Sequence, residues 1–245
     1  MTALRIDSLT KRYGARAALD GASLTVEAGQ FVALVGPSGS GKTTLLRALN
    51  RLVEPDEGAV ALDGRDVREI PLPELRRGIG YAIQSVGLFP HMTVAENIGI
   101  VPRLAGCDED RVAELLALVS LPAEMAGRYP RELSGGQQQR VGVARALAAR
   151  PKLILMDEPF GALDPVTRDT LGRAYRDLHE RLGLTTLMVT HDIGEALLLA
   201  DRIAVLIEGR IRTDGAPGDL LASADPDVRA MVDVPRRQAE RLAAL

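Results

Sequence analysis

Apolar residues occur along the chain in two patterns, and each pattern predicts a different kind of strand. Residues 3–9 and 19–27 alternate partly between apolar and polar side chains, which is typical of half-buried antiparallel strands. Residues 31–35, 153–156 and 186–189 are wholly or almost wholly apolar, as in strands whose sheet is covered on both faces. The chain therefore combines an antiparallel part near its amino end with a buried sheet.

Segments with helical spacing separate the buried strands. A glycine-rich turn follows residues 31–35, and after it comes a predicted helix with an apolar face. That face contains Leu45, Leu46, Leu49, Leu52 and Val53. Residues 203–207 and the segment from Ile211 onward, joined by a turn that includes Gly209, predict a β-hairpin. Strands that alternate with helices favour an α/β fold with a mainly parallel sheet.

The middle of the chain has a different pattern. From Val94 to Ala148 we find no convincing strand, and helical spacing dominates. We interpret residues 94–149 as a helical subdomain inserted into an α/β core formed by residues 1–93 and 150–218. The antiparallel strands belong to the first part of that core. Together these parts predict a single large domain.

The last segment, residues 219–245, completes that domain as a helical tail. It is charged and has helix-forming residues, and we expect Pro226 and Pro235 to break its helices.

Composition narrows the class of protein. The 245 residues include 46% hydrophobic and 26% charged side chains, and the formal net charge of −3 offers no basic excess for nucleic acid. The chain has one cysteine, Cys107, which excludes an internal disulfide and fits a reducing compartment. We expect this cysteine to have a structural role. No signal-peptide pattern opens the chain, and no apolar run approaches the ~20 residues of a membrane helix. We therefore expect a cytoplasmic protein.

A phosphate-binding motif lies between the strand at 31–35 and the next helix. The sequence GPSGSGKT matches G-x-x-x-x-G-K-[ST], in which glycines let backbone N–H groups approach phosphate oxygens at a helix N-terminus. Lys42 would reach the β- and γ-phosphates, and the Thr43 hydroxyl would bind Mg²⁺. The alternative is a glycine-rich turn that binds no ligand. The lysine and threonine at the required positions of the motif disfavour that alternative. The expected nucleotide contacts are Gly36, Pro37, Ser38, Gly39, Ser40, Gly41, Lys42, Thr43 and Thr44.

Two adjacent carboxylates end the apolar run at residues 153–156. Ligands of open α/β sheets bind at the carboxyl ends of the strands, so Asp157 is placed to hold Mg²⁺ directly or through water. Glu158 is then placed to orient or deprotonate an attacking water. An acidic pair after a strand is often only a turn, and it is the neighbouring phosphate motif that favours catalysis here.

A second glycine-rich helix start occurs in the middle of the chain. Ser134 precedes Gly135 and Gly136 and opens a helix, so its hydroxyl and the glycine N–H groups could meet a phosphate. One nucleotide needs only one such phosphate-binding helix start, and the chain already has one at residues 36–43. The local alternative is a well-capped structural helix.

The segment LSGGQ at residues 133–137 resembles the signature of ABC ATPases. This resemblance implies a head-to-tail dimer in which Ser134, Gly135, Gly136 and Gln137 of each subunit contact the γ-phosphate of ATP held by the other. A homodimer is expected. The resemblance also implies roles for single residues, each with a plainer structural alternative: Gln84 near Mg²⁺ and the membrane subunit, Asp164 at the dimer interface, His191 on the γ-phosphate, and Tyr13 on the adenine.

Longer segments are similar to the importer ATPases for osmoprotectants, the glycine betaine, carnitine and choline group. They are residues 80–93, 128–145 and 157–168. This similarity implies a peripheral location at the cytoplasmic face of the membrane, transmembrane permease subunits as partners, and indirectly a solute-binding protein. Some relatives carry C-terminal CBS modules, for which we expect no room in this chain.

Two alternatives to an osmoprotectant importer remain open. The first is an importer ATPase for another solute, such as an amino acid or methionine, from which the catalytic residues do not distinguish this chain. The second is a non-transport ABC ATPase, which the single compact acidic domain disfavours.

Overall fold

The computed structural model describes residues 2–83, 87–106 and 111–243, so Gln84 and Cys107 lie outside the described residues. Within these ranges the chain forms two sheets. Their strands are β1 (Thr2–Tyr13), β2 (Arg16–Glu27), β3 (Phe31–Val35), β4 (Glu57–Leu62), β5 (Arg65–Asp66), β6 (Ile79–Ala82), β7 (Leu153–Asp157), β8 (Thr185–Val189), β9 (Arg202–Ile207) and β10 (Arg210–Gly215).

The helices surround the larger sheet. They are α1 (Lys42–Leu49), α2 (Leu72–Gly78), α3 (Val94–Leu104), α4 (Val112–Leu118), α5 (Gly135–Leu147), α6 (Pro165–Leu182), α7 (Ile193–Leu199), α8 (Pro217–Leu221) and α9 (Pro226–Ala243). Short 3-10 turns occur at Val67–Glu69, Ala123–Gly127 and Pro130–Glu132. Among the described residues, no helix is both long and apolar enough to cross a membrane.

The two sheets differ in direction. The smaller one is antiparallel, with the order β2-β1-β4-β5. The larger one has the order β10-β9-β3-β8-β7-β6, and its strands are parallel except for β10, which pairs antiparallel with β9. This confirms the predicted α/β fold with a mainly parallel sheet and an antiparallel part at the amino end.

Strand β3 shows why its apolar run has no alternation. Phe31, Ala33 and Val35 pack into a core shared with helices α3 to α7, whereas Val32 and Leu34 pack into a core shared with the smaller sheet and α1. All five side chains are fully buried. Because both faces are covered, apolar residues are needed at every position.

Three expectations about elements need correction. Helix α1 ends at Leu49, because Arg51 adopts a left-handed conformation (φ 52°) and the N–H of Leu52 bonds back to the carbonyl of Arg47 at 2.8 Å. Strands β4 and β5 were not predicted. Pro235 does not break the last helix, since α9 begins at Pro226 and continues past position 235.

The region between Val94 and Leu147 contains helices and turns without a strand, as far as its residues are described. Leu115, Leu116 and Val141 from this region join the same core as one face of the large sheet. The division into core and inserted subdomain at the predicted boundaries remains an interpretation.

Candidate nucleotide-binding site

The phosphate loop, residues 36–43, connects β3 to α1 and packs closely against neighbouring backbone. Gly41 has φ 108°, and a Cβ atom there would lie 2.1 Å from the carbonyl oxygen of Ala18. Only glycine fits this position without displacing backbone. Arg16 donates to the Gly39 carbonyl at 3.1 Å, and the N–H of Gly209 donates to the Ser40 carbonyl at 3.0 Å. The loop is therefore held from outside.

Helix α1 begins without a side-chain cap. Its N-cap is Gly41, which offers no acceptor for the first N–H groups of the helix. The Ser40 hydroxyl, which is buried in the same loop, has no hydrogen-bond partner among the described residues. An uncapped helix start beside an unpartnered hydroxyl is suited to an anion that would accept these hydrogen bonds.

Lys42 is buried in the loop with its ammonium group turned onto backbone carbonyls. Its Nζ atom donates to the carbonyls of Gly36 and Pro37, at 2.7 and 2.9 Å. Burial lowers the pKa of this lysine, and the carboxylates of Glu158 and Asp157 oppose the effect. A bound phosphate would supply the negative charge that favours the ammonium form.

Asp157 ends β7 beside the phosphate loop. Its Oδ1 atom accepts a hydrogen bond from the Thr43 hydroxyl at 3.2 Å, and the residue is buried. Burial raises the pKa of the Asp157 carboxyl, against the hydrogen bond from Thr43. A hydroxyl and a carboxylate are oxygen donors of the kind that Mg²⁺ prefers, and a cation would relieve the cost of the buried charge. These residues therefore fit a magnesium ion.

Glu158 follows directly and meets His191, which lies just after the neighbouring strand β8. The Nδ1 atom of His191 lies 3.2 Å from Oε1 of Glu158, and the histidine side chain is mostly exposed. The backbone of Glu158 adopts a left-handed conformation, with φ 49°, and its N–H donates to the carbonyl of Val189 at 2.9 Å. A carboxylate and an imidazole therefore face each other at the carboxyl ends of β7 and β8.

The second glycine-rich helix start is closed by its own side chains. The hydroxyl of Ser134 accepts from the N–H of Gln137 at 3.3 Å, and the side chain of Gln137 accepts from the N–H of Ser134 at 2.9 Å. This reciprocal capping box opens α5. Ser134 and Gly135 are exposed, and a Cβ on Gly136 would lie 3.0 Å from Leu163. The described residues contain no hydrogen bond from this start to the phosphate loop.

The remaining predicted site residues are distributed around this centre. Asp164 is exposed and caps α6, and hydrogen bonds from the side chain and backbone of Thr167 lower its pKa. Tyr13 is about half exposed at the end of β1, with the ammonium of Lys11 over its ring at 5.7 Å. The prediction for Gln84 lies outside the described residues.

Sequence reasoning missed two residues that organise the loops around Glu158. Arg168 on α6 donates to the carbonyls of Phe160 and Leu163, at 3.3 and 3.1 Å, and pairs with Asp192 beside His191 at 3.4 Å. Gln139 on α5 donates to the carbonyl of Glu158 at 3.2 Å. Neither contact has a sequence signal, since each joins a helical side chain to a carbonyl whose position depends on how the loop after β7 folds.

A scan against family models matches residues 19–161 to the ABC transporter family. The matched range contains the phosphate loop, the start of α5 and the pair Asp157–Glu158. The chain belongs to the ABC transporter family.

Curated members of the ABC transporter family are closely similar. The choline transport ATP-binding protein of Bacillus subtilis is 50% identical over 223 residues, covering 89% of this chain and 58% of that protein. The glycine betaine uptake system ATP-binding protein of Escherichia coli is 49% identical, covering 89% and 72%. A sulfate/thiosulfate import ATP-binding protein of Chromobacterium violaceum is also 50% identical, covering 90% and 60%. This chain thus spans under two thirds of the length of the first of these relatives.

A solved ABC structure shares the fold. It is a dimeric ATP-binding cassette in a post-hydrolysis state, bound to ADP and phosphate, with a TM-score of 0.81 and 34% sequence identity. The match covers 87% of this chain and 98% of that one.

Proposed function

We propose that this chain is the ATP-binding and ATP-hydrolysing subunit of an ABC importer. The observation that carries the proposal is the convergence of a buried lysine and a buried aspartate on one uncapped helix start. Burial disfavours the charged ammonium of Lys42 and the charged carboxylate of Asp157, and both residues lie beside Thr43. A nucleoside triphosphate with a divalent cation supplies both charges at once.

The chain's own groups would bind the triphosphate through the phosphate loop. The N–H groups at the start of α1 and the Ser40 hydroxyl donate to phosphate oxygens, and the Lys42 ammonium turns from its carbonyls toward the β- and γ-phosphates. The remaining loop contacts are those predicted from sequence. Tyr13 offers an exposed ring on which adenine can stack.

Thr43 and Asp157 would hold Mg²⁺, and Gln84 is a further proposed ligand. When bound, the ion would neutralise charge that develops on the phosphoryl oxygens during transfer. Because Thr43 and Asp157 already share a hydrogen bond, their oxygens lie close enough together to bind one ion.

Glu158 would take the proton from the attacking water, and His191 would hold the γ-phosphate. The water oxygen bonds to the γ-phosphorus as the bond to the β-phosphate oxygen breaks, which yields ADP and phosphate. The Glu158–His191 contact at 3.2 Å supports this division of roles, since an exposed imidazole can turn to the phosphate and leave the carboxylate for water.

A second copy of the chain would complete each site. Ser134, Gly135, Gly136 and Gln137 of one copy would meet the γ-phosphate bound by the other, and Asp164 would lie near the interface. The exposure of Ser134 and Gly135 supports this proposal, and so does the dimeric relative that binds ADP and phosphate.

The direct test compares phosphate release by the unaltered chain and by Glu158→Gln. The unaltered chain should hydrolyse ATP. Glu158→Gln keeps the shape and loses the base, so ATP binding should persist while turnover falls by about 10³-fold or more. Normal turnover by Glu158→Gln would overturn the assignment of the base, and no hydrolysis by the unaltered chain would overturn the function.

The cargo we propose is a quaternary-ammonium osmoprotectant, such as choline, glycine betaine or carnitine. Relatives named for choline and glycine betaine transport support this cargo. A relative named for sulfate and thiosulfate import has the same identity as the first of them, so import of another solute is the second candidate. The partners would be transmembrane permease subunits and, through them, a solute-binding protein. The site of action would be the cytoplasmic face of the membrane.

The cargo is tested in cells that lack their own osmoprotectant and sulfate importers. The chain is expressed with the permease and binding protein encoded beside it, and uptake of labelled choline, glycine betaine and sulfate is measured. Uptake of a quaternary ammonium compound that stops with Glu158→Gln supports the proposal. Uptake of sulfate alone would replace it with the second candidate.

A further inference from the structure

The backbone of Glu158 is held in an unfavourable conformation by three contacts. Its φ of 49° lies in the left-handed region, which is unfavourable for a residue with a Cβ unless the surroundings fix it. The N–H donates to Val189, and the carbonyl accepts from the N–H of Gly161 at 3.2 Å and from the side chain of Gln139 at 3.2 Å. Val189 belongs to the neighbouring strand β8 and Gly161 to the same loop as Glu158, whereas Gln139 belongs to helix α5.

Gln139 makes that third contact from inside the protein. The residue is only 5% exposed, and its amide donates to the Glu158 carbonyl. It lies four positions after Gly135 on α5, so both residues occupy the same face of the helix. A buried amide that loses its acceptor pays a desolvation cost, which makes this contact sensitive to small displacements.

Helix α5 meets the Glu158 loop at a second point, one turn earlier. A Cβ on Gly136 would lie 3.0 Å from Leu163, a buried residue in the loop between Glu158 and α6. Two contacts about one turn apart fix both the position and the direction of the helix start relative to that loop. A displacement of Ser134 along the helix axis would therefore disturb both points at which α5 meets this loop.

We propose that Gln139 is a positioning residue that sets the backbone of Glu158 according to the position of the α5 start in the same chain. The inference rests on the proposed function, in which Ser134 meets a phosphate bound by the partner copy. Phosphate contact at one site of the dimer then fixes the base at the other site through a single helix. In this role Gln139 acts only through the carbonyl of Glu158.

Two substitutions separate this role from a general loss of packing. Gln139→Met keeps the length of the side chain and removes the donor, so turnover should fall about tenfold while the KM for ATP changes less than about twofold. Tyr175→Phe is the matched control, since it removes a buried hydrogen bond to Thr186 in the core at 2.7 Å. It should lower the melting temperature and leave turnover within about twofold.

Gln139→Glu gives a pH signature that a packing defect would not give. The introduced carboxyl can donate to the Glu158 carbonyl only when it is protonated, and burial beside that carbonyl raises its pKa. Turnover of Gln139→Glu should therefore recover as the pH falls from 8 to 6, relative to the unaltered chain. Dividing the pH profile of Gln139→Glu by that of the unaltered chain cancels every group that the two proteins share, so the ratio reports position 139.

The proposal is overturned if Gln139→Met turns over as fast as Tyr175→Phe. It is also overturned if the profile of Gln139→Glu runs parallel to that of the unaltered chain. These outcomes are distinct from failure of the proposed function, because that failure would show as absence of ATP hydrolysis by the unaltered chain itself.

Discussion

The chain contains two glycine-rich helix starts, and they differ in how their first N–H groups are satisfied. Helix α1 begins at Gly41 with no side-chain cap, beside a buried lysine and an unpartnered buried hydroxyl at Ser40. Helix α5 begins at Ser134 with a capping box that Gln137 closes. The first N–H groups of α1 therefore have no side-chain cap and can bind a ligand, whereas α5 is already capped by its own side chains.

This difference explains why the two starts would bind phosphate under different conditions. The α1 start has Lys42 and Thr43 within its own chain, so it has charge and hydroxyl groups for a ligand before any partner arrives. The α5 start is exposed and neutral, and its cap is already satisfied. It therefore gains from a phosphate only when another surface presents one, which is the arrangement of a dimer.

The largest effect should come from removing the charge at the α1 start. Lys42→Met keeps the volume of the side chain, so the loop should fold while turnover falls by about 10³-fold, as for loss of a donor to developing charge. Phosphate release measures turnover, and binding of a fluorescent ATP analogue measures nucleotide binding by the loop. Lys152→Met is the control, because Lys152 is exposed at the opposite end of β7. Turnover above half of normal in Lys42→Met would contradict the account.

A smaller effect should follow from placing charge at the α5 start. Ser134→Asp preserves a good N-cap, so thermal stability should change little, but a carboxylate would repel an incoming phosphate. Turnover should fall by about 10²-fold while a single chain binds ATP with unchanged affinity. Thr93→Asp makes the same change at the capping box of α3 and should leave turnover unaffected. Equal effects of the two variants would show that the α5 start is only a structural cap.

The smallest effect concerns the stability of the ligand-free chain. Burial raises the pKa of Asp157 in the folded state above its unfolded value near 3.8, so the ionised form destabilises the fold at higher pH. Asp157→Asn should raise the melting temperature by about 2–4 °C at pH 7, or roughly 1 kcal/mol. The gap should narrow as the pH falls through the folded pKa and close below the unfolded pKa near 3.8.

Asp164→Asn is the matched control with the opposite sign. The pKa of Asp164 is lowered by hydrogen bonds from Thr167, so its ionised form stabilises the fold above the unfolded pKa. Asp164→Asn should therefore melt slightly lower than the unaltered chain at pH 7 and equally near pH 3. A lower melting temperature for Asp157→Asn at pH 7 would show that the site does not carry a destabilising charge.

Both starts could be predicted from the sequence, whereas the contacts that hold the loops around them could not. The phosphate motif predicted the loop between β3 and α1, because glycine spacing, lysine and threonine report local geometry directly. The capping box at Ser134 was likewise local. The contacts of Gln139 and Arg168 could not be predicted, because each depends on how the loop after β7 places its carbonyls relative to α5 and α6.

The same limit applies to the fold. Continuous apolar runs predicted the buried strands, since both faces of the large sheet are covered. Strand β4 escaped prediction because its small and acidic residues show weak alternation. The end of α1 escaped because Arg51, and not glycine, adopts the left-handed conformation that closes the helix.

One measurement tests most directly whether the α1 start binds ATP within one chain and the α5 start binds it across two. The molecular mass of Glu158→Gln is determined by sedimentation with and without Mg·ATP, and again with Ser134→Asp added. The account predicts twice the 26.2 kDa mass of the chain with ATP, and a single chain that still binds ATP when both substitutions are present. A nucleotide-bound Glu158→Gln that stays a single chain, or a dimer that Ser134→Asp leaves intact, would contradict it.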